Sequence, residues 1–396
     1  MDLTITPCTL QGEITPIPSK SQAHRLLICA AFADGPTLLD CPETNRDIAA
    51  TVDCLNALGA HIQAVDTGYF IQPASNCPER AVLNCCESGS TLRFMLPVAG
   101  ALGVDATFLL EGRLPQRPLS PMWEEMERMG CALSRPTGNT IRCTGKLRPG
   151  CYRIDGSVSS QYITGFLLAL SLLEVPSTLE ITGRLESRPY VNLTQDALRT
   201  FGADPEHPGL HRLHTPGLLH VEGDWSNGAF FLAANALGSR LDIRGLNPNS
   251  CQGDRAASRI LPALREKFIT VDASDIPDLV PILSVVAAGF HGALFTHTRR
   301  LRLKESDRIA SVIAMIQALG GRAAADEDTL RIYGTGLTGG TVDSANDHRI
   351  AMSAAIAAIA CKEPVTITNA QCVQKSYPKF FDEYRRLGGQ YEQHLR

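Results

Sequence analysis

Residues 107–118 read Thr-Phe-Leu-Leu-Glu-Gly-Arg-Leu-Pro-Gln-Arg-Pro, and residues 178–189 read Thr-Leu-Glu-Ile-Thr-Gly-Arg-Leu-Glu-Ser-Arg-Pro, at an offset of 71 residues. In both copies a short β-like run leads into a loop with a basic residue, and an amphipathic helix follows. The predicted helices share an ending in glycine, and five such endings lie along the chain, at Gly59, Gly130, Gly202, Gly320 and Gly388. Repetition over tens of residues is typical of a fold built from repeated α/β units.

A basic residue precedes each of these glycines at a nearly constant distance. Counting back 13, 13, 14, 16 and 13 residues reaches Arg46, Arg117, Arg188, Lys304 and Lys375. Each cation is predicted to lie between a strand and a helix N-terminus, where free backbone N–H groups and the helix dipole favour anions. Several such positions around one centre would form a site for a multiply anionic substrate. The alternative is that they are solvated loop cations with no shared ligand.

The spacing of the repeats predicts their number. The first three closing glycines are 71 and 72 residues apart, whereas Gly202 and Gly320 are 118 apart. A degenerate helix at Arg259–Phe268 fits within this longer interval and lacks the closing glycine. We therefore predict an α/β fold of six units, three in each of two domains, with the fourth unit shortened.

Three units per domain also predict where the chain crosses between the domains. One crossing is expected near residues 223 and 224, and the other at Pro16-Ile-Pro18, where each proline fixes φ and disfavours helix. The expected domains are residues 19–223, and residues 1–18 together with 224–396. The first strand is then expected to pair with the C-terminal half.

Composition and charge exclude several classes of protein. With 396 residues, 44% hydrophobic and 20% charged, the chain can bury two ordinary domains. A formal net charge of −4 argues against nucleic-acid binding, and no apolar run approaches the ~20 residues needed to cross a membrane. The N-terminus shows no signal or transit pattern, so the mature chain is expected to start near Met1. The thirteen cysteines form no C-x-x-C pair, which favours reduced thiols and a cytoplasmic protein.

Four histidines between two predicted units resemble a metal cluster at first sight. They are His207, His211, His214 and His220. They lie among proline and glycine residues, with no acidic or cysteine partner in a fixed helical register. We interpret the segment as a loop and hairpin and predict no metal site.

Several motifs are predicted to open helices. Ser19 or Ser21 is a possible N-cap, and Glu87-Ser-Gly-Ser-Thr lies on a strand-to-helix turn where backbone can approach a ligand closely. That turn lacks the lysine and the spacing of a P-loop, so it does not indicate nucleotide binding. Lys304 and Arg308, four residues apart, would share a helical face if the helix begins before Lys304.

In chain order, the motifs with chemistry are Pro18-Ser-Lys20-Ser21 with Arg25, Glu87-Ser-Gly89-Ser-Thr with Arg93, Arg113-x-x-x-Arg117-Pro, Ser159-Ser160-Gln161, Ser187-Arg-Pro-Tyr190, Ile276-Pro-Asp278, Lys304-Glu305-Ser-Asp-Arg308, Asp347-His348-Arg349 and Lys375-x-x-Pro378. In this order, from about Lys20 to Pro378, the chain resembles the 5-enolpyruvylshikimate-3-phosphate synthase family of enolpyruvyl transferases. The resemblance implies two domains, each of three β-α-β-α-β-β units, that close on a cleft between them.

The resemblance also implies a reaction. The enolpyruvyl group of phosphoenolpyruvate would pass to the 5-hydroxyl of shikimate-3-phosphate through a tetrahedral addition-elimination intermediate, with release of phosphate, in aromatic amino acid biosynthesis. It implies no cofactor, a monomer, and no partner beyond the two small-molecule substrates. In this family glyphosate competes with phosphoenolpyruvate in a pocket floored by the glycine that matches Gly89.

Roles for individual residues follow from the resemblance alone. The implied shikimate-3-phosphate ligands are Lys20, Ser21, Arg25, Ser159, Ser160, Gln161, Ser187, Tyr190, Asp278 and Lys304. The implied phosphoenolpyruvate ligands are Lys20, Gly89, Arg117, Gln161, Arg308, Arg349 and Lys375, with the two later arginines on the carboxylate. The implied proton-transfer and hydroxyl-orienting groups are Asp278, Lys304 and Glu305.

Two departures and two alternatives accompany the resemblance. The family often has asparagine where Glu87 and Arg300 stand in this chain. A nucleotide-sugar enolpyruvyl transferase of cell-wall synthesis is the main alternative, but its mobile loop carries a reactive Cys or Asp, and Arg113–Arg117 contains neither. A catalytically silent protein that binds phosphorylated ligands is disfavoured because Asp278, Lys304 and Glu305 are all present.

Overall fold

The structure is a computed structural model that describes residues 1–173 and 175–394. Residue 174 of the first predicted domain and residues 395 and 396 of the second lie outside the described residues. The chain divides into two units. Pro18–Glu222 is called the N-terminal unit here, and Met1–Ile17 with Gly223–Arg396 is called the C-terminal unit.

Helices are distributed along the whole described chain. The α-helices are α1 Lys20–Ala31, α2 Arg46–Ala57, α3 Gly89–Leu102, α4 Met122–Arg128, α5 Ser160–Leu170, α6 Arg188–Thr200, α7 Trp225–Ala236, α8 Ala257–Glu266, α9 Val280–Gly289, α10 Arg308–Ala318, α11 His348–Ala357 and α12 Phe380–Arg386. Short 3₁₀ turns include Leu114–Gln116, Gly253–Ala256, Arg299–Leu303 and Ala370–Lys375.

Strands alternate with these helices. They are β1 Asp2–Thr6, β2 Gln11–Ile14, β3 Thr37–Asp40, β4 His61–Val65, β5 Gly68–Gln72, β6 Arg80–Asn84, β7 Asp105–Leu109, β8 Cys131–Ser134, β9 Thr140–Gly145, β10 Cys151–Asp155, β11 Thr178–Thr182, β12 Leu218–His220, β13 Arg240–Ile243, β14 Ile269–Asp272, β15 Gly292–Thr296, β16 Arg322–Ala325, β17 Thr329–Tyr333, β18 Gly340–Asp343, β19 Val365–Thr368 and β20 Gln390–His394.

The repeated unit is a β-α-β-α-β-β element, as predicted. It is complete along the chain in β6-α3-β7-α4-β8-β9 and in β14-α9-β15-α10-β16-β17. In each case the first two strands are parallel and the hairpin adds two antiparallel strands, giving the orders β6-β7-β9-β8 and β14-β15-β17-β16. The described residues form six sheets, three in each unit, and four of the six have four strands.

The chain termini complete one sheet of the C-terminal unit. Its order is β18-β19-β1-β20, and β1 is antiparallel to both β19 and β20. Leu3 and Ile5 of β1 are fully buried in this unit. The predicted pairing of the first strand with the C-terminal half is therefore confirmed.

Two of the six sheets have only two strands. In the fourth repeat β13 pairs with β2 alone, because α8 ends at Glu266 and β14 begins at Ile269, which leaves no chain for a hairpin. This confirms the predicted shortening. The third repeat is also short: β10 pairs with β11 alone, and residues 201–217 contain no strand. The hairpin expected around the four histidines is therefore wrong, and the prolines of this segment, which cannot donate backbone hydrogen bonds, account for the loop.

Helices with buried residues all round alternate with amphipathic outer ones. In α3, α5, α9 and α11 almost every residue is buried, and each unit has its own hydrophobic core around such helices. The outer helices α2, α4, α6, α10 and α12 are each followed by a glycine with positive φ, between 74° and 114°, at the five positions predicted from the repeat. Only glycine adopts this turn without strain, which explains why the repeat is visible in the sequence.

No helix among the described residues is long and apolar enough to cross a membrane.

Candidate active site

Helix α1 of the N-terminal unit carries two of the predicted cations. The Ser19 side chain caps the helix by accepting a hydrogen bond from the Gln22 N–H, which decides between the two candidate caps. Lys20 is the first helical residue, and its Nζ lies 2.9 Å from Oδ2 of Asp47. The Lys20 ammonium is therefore held at the N-terminal end of α1 by a carboxylate from α2.

Arg25 is buried and fixed by groups from α5 and α6. Its Nε donates to Oγ1 of Thr194 at 2.8 Å, and its Nη2 donates to Oγ1 of Thr164 at 3.1 Å. Backbone oxygens of Ser21 and Tyr190 accept from the same guanidinium at 2.5 and 2.9 Å. Ser21, Arg25 and Tyr190 are thus brought together, as the shared role predicted for them requires.

A second group of cations surrounds the start of α3. The Ser88 side chain caps this helix, and Gly89 is its first residue. A Cβ built on Gly89 would lie 2.5 Å from Nη1 of Arg117 and 2.6 Å from Nη1 of Arg93. Gln161 accepts from Arg93 at 3.2 Å and donates to Oγ of Ser90 at 3.0 Å. Gly89, Arg117 and Gln161, which are all among the implied phosphoenolpyruvate ligands, therefore lie in one cluster.

Three serines among the implied shikimate-3-phosphate ligands lie at two further helix starts of the same unit. Ser159 caps α5 by accepting from the Gln161 N–H at 3.3 Å, and Ser160 is the first residue of that helix and is buried. Ser187 precedes α6 with φ of 54°, in the left-handed region, and is buried. A residue with a side chain is strained in this conformation, and such strain is most often found where function requires a fixed geometry.

In the C-terminal unit a buried arginine binds three carboxylates. The Arg308 side chain is 1% exposed. Its Nε donates to Oδ2 of Asp347 at 3.0 Å, its Nη1 donates to Oδ1 of Asp278 at 2.8 Å, and its Nη2 donates to Oε2 of Glu305 at 2.6 Å. The Asp347 side chain is 0% exposed, whereas Asp278 and Glu305 are 19% and 27% exposed. Asp347 therefore anchors Arg308 from the interior, and the other two carboxylates border the surface.

Asp278 links this arginine to two more cations. Its Oδ2 accepts from Nη2 of Arg349 at 3.0 Å, and its Oδ1 lies 3.7 Å from Nζ of Lys304. Burial opposes ionisation, but Arg349, Lys304 and Arg308 together hold the pKa of Asp278 well below its usual value. Asp278 is therefore an anion that orients the cations around it.

Burial changes the acidity of Lys304 more than its neighbours do. Desolvation lowers the pKa of this ammonium group to about 8, against the opposing effect of Asp278. The group therefore has a neutral form available close to physiological pH. A lysine with such a pKa can orient a hydroxyl group and also accept its proton.

The positions of these groups depend on where α10 and α11 begin. Asp307 caps α10 by accepting from the Ala310 N–H at 3.1 Å, so the helix starts at Arg308. Lys304 precedes it in an extended conformation. Because α10 begins after Lys304, Lys304 and Arg308 do not share a helical face.

Asp347 plays the same capping role at α11. It accepts from the Arg349 N–H at 3.0 Å and from Oγ of Ser306 at 3.1 Å. Lys375 reaches the turn before this helix, where its Nζ donates to the backbone oxygen of Asn346 at 2.9 Å. Arg349 and Lys375 are thus both located at the start of α11.

Several residues of the clusters were not among the predicted site residues. They are Asp47, Arg93, Thr164, Thr194 and Asp347. Arg93 and Asp347 lie inside quoted motifs, and an aspartate just before an apolar helix is a recognisable cap. The two threonines are mid-helix and meet Arg25 only because α5 and α6 pack beside α1, which no local signal reveals.

The two departures from the family pattern are also located. The Glu87 side chain packs against Gly112, where a Cβ would lie 2.6 Å from Oε2 of Glu87. Nη2 of Arg300 donates to the backbone oxygen of Ser274 at 3.2 Å. Both residues therefore contact loops next to the clusters.

The four histidines are separated by their partners. His207, His214 and His220 pair with Asp204, Asp34 and Asp40 at 2.9, 2.7 and 2.7 Å. The described residues hold no group of three or more His, Cys, Asp or Glu placed to bind a metal ion.

The chain is similar to one protein family over almost its whole length. The model of the family described as EPSP synthase (3-phosphoshikimate 1-carboxyvinyltransferase) matches residues 5–265 and 261–384. The chain belongs to the EPSP synthase family. It is 37% identical over 418 residues to the 3-phosphoshikimate 1-carboxyvinyltransferase of Clostridium kluyveri, covering 99% of this chain and 98% of that protein. It is 38% identical over 414 residues to the enzyme of the same name from Clostridium acetobutylicum, covering 97% of each.

A solved structure supports the fold of this EPSP synthase family member. The EPSP synthase of Acinetobacter baumannii superposes with a TM-score of 0.80 at 23% identity, covering 99% of this chain and 100% of that one. The predicted α/β fold and family are therefore confirmed, and the shikimate branch is favoured over the cell-wall alternative.

Proposed function

We propose that this chain transfers the enolpyruvyl group of phosphoenolpyruvate to the 5-hydroxyl of shikimate-3-phosphate and releases phosphate. The observation that carries the proposal is the buried Arg308 with its ring of Asp278, Glu305 and Asp347, next to a lysine whose pKa is lowered to about 8. This arrangement supplies acid–base groups in two protonation states within one cluster.

The reaction needs two proton transfers at neighbouring atoms. In the addition step the 5-hydroxyl oxygen bonds to C2 of phosphoenolpyruvate and loses its proton, while C3 gains a proton and becomes a methyl group. In the elimination step C3 loses a proton and the C2–O bond to phosphate breaks. We assign the hydroxyl proton to Lys304, oriented by Asp278, and the C3 proton to Glu305.

Arg308 couples substrate binding to this chemistry. Its N–H groups bind three carboxylates, and we propose that a phosphoenolpyruvate carboxylate displaces the most exposed of them. Asp347 is fully buried and stays, whereas Glu305 is partly exposed and can leave. An ion pair with Arg308 favours the carboxylate form, so release from that pair lets Glu305 hold the proton that C3 requires.

The N-terminal unit is assigned the recognition of anionic groups. We propose that Ser21, Arg25 and Tyr190 bind the carboxylate end of shikimate-3-phosphate, and that its phosphate is bound by the serines at the starts of α5 and α6, namely Ser159, Ser160 and Ser187. Both substrates are anions, and two unit charges 4 Å apart repel by about 4 kcal/mol at an effective dielectric constant near 20. The cations of this unit offset that repulsion.

Phosphoenolpyruvate is assigned to the cluster at the start of α3. Gly89 lets the ligand approach the backbone, with Lys20, Arg117 and Gln161 beside it. In the C-terminal unit the proposed phosphoenolpyruvate ligands are Arg308, Arg349 and Lys375. Glyphosate, which carries a carboxylate and a phosphonate, is proposed to compete in this pocket. The close approach of two guanidinium groups to the position that a Cβ of Gly89 would occupy supports the assignment.

We further propose a cytoplasmic monomer. All thirteen cysteines are free thiols, as a reducing compartment favours. Light scattering after size exclusion, at a concentration near that of the assay, tests the monomer.

Phosphate release tests the proposed function. The purified chain is expected to release phosphate only when both shikimate-3-phosphate and phosphoenolpyruvate are present. UDP-N-acetylglucosamine in place of shikimate-3-phosphate is the control for the cell-wall alternative and should give no release. Phosphate release with UDP-N-acetylglucosamine but not with shikimate-3-phosphate, or no release with either acceptor, would contradict the proposal.

A further inference from the structure

A buried chain of hydrogen bonds links α1, α2 and α3, and α1 and α3 begin with the proposed phosphoenolpyruvate ligands Lys20 and Gly89. Nδ1 of His24 lies 2.8 Å from Oγ1 of Thr51, which lies 2.8 Å from Oγ1 of Thr91. Thr91 in turn donates to Oγ of Ser88 at 2.7 Å. The four residues are between 0% and 1% exposed. The chain therefore connects α1, α2 and the cap of α3 away from solvent.

The direction of each bond follows from the number of protons available. A threonine hydroxyl has one proton, so Thr91, which donates to Ser88, must accept from Thr51. Thr51 has then used its proton and must accept from His24, which requires an N–H at Nδ1 of the ring. Burial, with Lys20 and Arg25 nearby, holds the pKa of His24 well below its usual value, so the ring is neutral and carries one N–H.

The other ring nitrogen has an environment that suits this tautomer. Nε2 of His24 is buried and has no hydrogen-bond partner among the described residues. The imidazole ring lies at 86° to the Phe94 ring, with their centroids 6.2 Å apart. The only polar contact described for the ring is therefore the one that leads to Thr51.

The chain ends at both elements that define the proposed ligand pocket. Ser88 caps α3 through the Thr91 N–H and directly precedes Gly89. Oγ1 of Thr91 also lies 3.3 Å from the backbone oxygen of Asp47, whose carboxylate binds Lys20. A shift of Thr91 would therefore move the Gly89 turn and the Lys20 carboxylate partner together.

We propose that His24, Thr51 and Thr91 are positioning residues for phosphoenolpyruvate, and that they set the geometry of Gly89 and Lys20 without touching the substrate. The inference rests on the proposed function, because it uses the assignment of these two residues to phosphoenolpyruvate. Breaking the chain in the middle should weaken phosphoenolpyruvate binding roughly tenfold, which corresponds to the net value of one hydrogen bond.

A matched pair of buried threonines on the same unit serves as the control. Oγ1 of Thr164 and Thr194 lie 2.8 Å apart, and both hydroxyls accept from Arg25, which is assigned to shikimate-3-phosphate. Both residues are 0% exposed, like Thr51. Thr194→Val therefore removes an equally buried hydroxyl, but one that holds Arg25, the proposed ligand of shikimate-3-phosphate.

The experiment compares Thr51→Val, Thr51→Ser and Thr194→Val in the full chain. Valine keeps the shape of threonine but cannot hydrogen-bond, and serine restores the hydroxyl. Thr51→Val should raise KM for phosphoenolpyruvate about tenfold and leave the calorimetric Kd of shikimate-3-phosphate within twofold, and Thr51→Ser should restore the KM. Thr194→Val should raise the Kd of shikimate-3-phosphate and leave KM for phosphoenolpyruvate within twofold. Equal effects of Thr51→Val on both substrates, or a KM that does not change, would overturn the proposal.

Phosphate release by the wild type distinguishes a failure of the proposed function from a failure of the positioning role. If the wild type releases no phosphate with both substrates, the proposed function fails, whereas an active wild type with an unchanged Thr51→Val refutes only the positioning role. A measurement on the wild type also covers the case in which Thr51→Val does not fold. Nitrogen-15 NMR over a titration to acid pH should show one histidine that stays neutral after exposed histidines have become protonated, with its proton on Nδ1, and this signal should be absent from His24→Asn. A proton on Nε2 would refute the derived direction of the chain.

Discussion

Replacing Gly89 by alanine should selectively weaken binding of phosphoenolpyruvate and of glyphosate. The added Cβ would lie 2.5 Å from Nη1 of Arg117 and 2.6 Å from Nη1 of Arg93. The Arg93 guanidinium is held by the backbone oxygen of Pro118 at 3.1 Å and by Gln161 at 3.2 Å. Both guanidinium groups are too close to the added Cβ, and restoring an ordinary contact of 3.4 Å requires a shift of 0.9 Å for Arg117 and 0.8 Å for Arg93.

The size of the effect follows from what that movement disrupts. A charge-assisted hydrogen bond to a ligand anion is worth about 1.5–3 kcal/mol, which corresponds to roughly 10- to 150-fold in affinity. A displacement of 0.9 Å takes a hydrogen bond of 2.9 Å beyond useful length, so most of this value should be lost. Steady-state phosphate release at saturating shikimate-3-phosphate should show KM for phosphoenolpyruvate raised by this factor. The glyphosate concentration for half-inhibition should rise at least as much.

A second glycine of the same helix provides the control. A Cβ on Gly100 would lie 2.8 Å from Sγ of Cys131 and 3.2 Å from Leu147, inside the core of the unit. Gly100→Ala should therefore lower the melting temperature without changing KM for phosphoenolpyruvate. The reasoning is refuted if Gly89→Ala keeps its KM within twofold of the wild type, or if Gly100→Ala raises KM by the same factor.

Three further predictions concern the C-terminal unit. Glu305→Gln should lower turnover by about 10²–10⁴-fold while calorimetry shows nearly unchanged binding of shikimate-3-phosphate, and retention of most turnover would assign the C3 proton elsewhere. Because Lys304 accepts a proton only in its neutral form, kcat/KM for shikimate-3-phosphate should rise with pH up to about 8, and Lys304→Arg should lack this rise. Burial raises the pKa of Asp254, which accepts from Ser226, to about 7, so its contribution to stability is present at low pH and lost as pH rises through 7. The melting temperature should fall over that range in the wild type and should not show this fall in Asp254→Asn.

The fold was predictable from sequence because its repeats end in a turn that selects for glycine. Gly130 and Gly202 have φ of 114° and 74°, and a residue with a side chain would be strained at either position. The loss of the fourth hairpin was also visible, as an interval too short for the missing strands. The loss of the third hairpin was not visible, because the loop at residues 201–217 is longer than the β8-β9 hairpin and so leaves no gap in the spacing of the repeats.

The site was predictable to the extent that its residues lie in linear motifs. Motifs that resemble those of a family place Lys304 and Glu305 close to Arg308 whatever the packing. The partners that hold the cations come from distant segments: Asp47 is 27 residues from Lys20, and Thr194 is 169 residues from Arg25. Such pairs arise when separate repeats pack their helix starts together, and nothing local in the sequence specifies them.

The charge balance of the two clusters explains why one unit is suited to recognition and the other to proton transfer. In the N-terminal unit Lys20, Arg25, Arg93 and Arg117 surround helix starts, and Asp47 pairs with Lys20. In the C-terminal unit the three cations Lys304, Arg308 and Arg349 face the three carboxylates Asp278, Glu305 and Asp347. An excess of cations stabilises bound anions at any stage of the reaction, and so binds ground state and transition state alike. In the function proposed above, a balanced cluster responds instead to a change of one charge, because an arriving anion that displaces a carboxylate from its cation alters which group holds a proton.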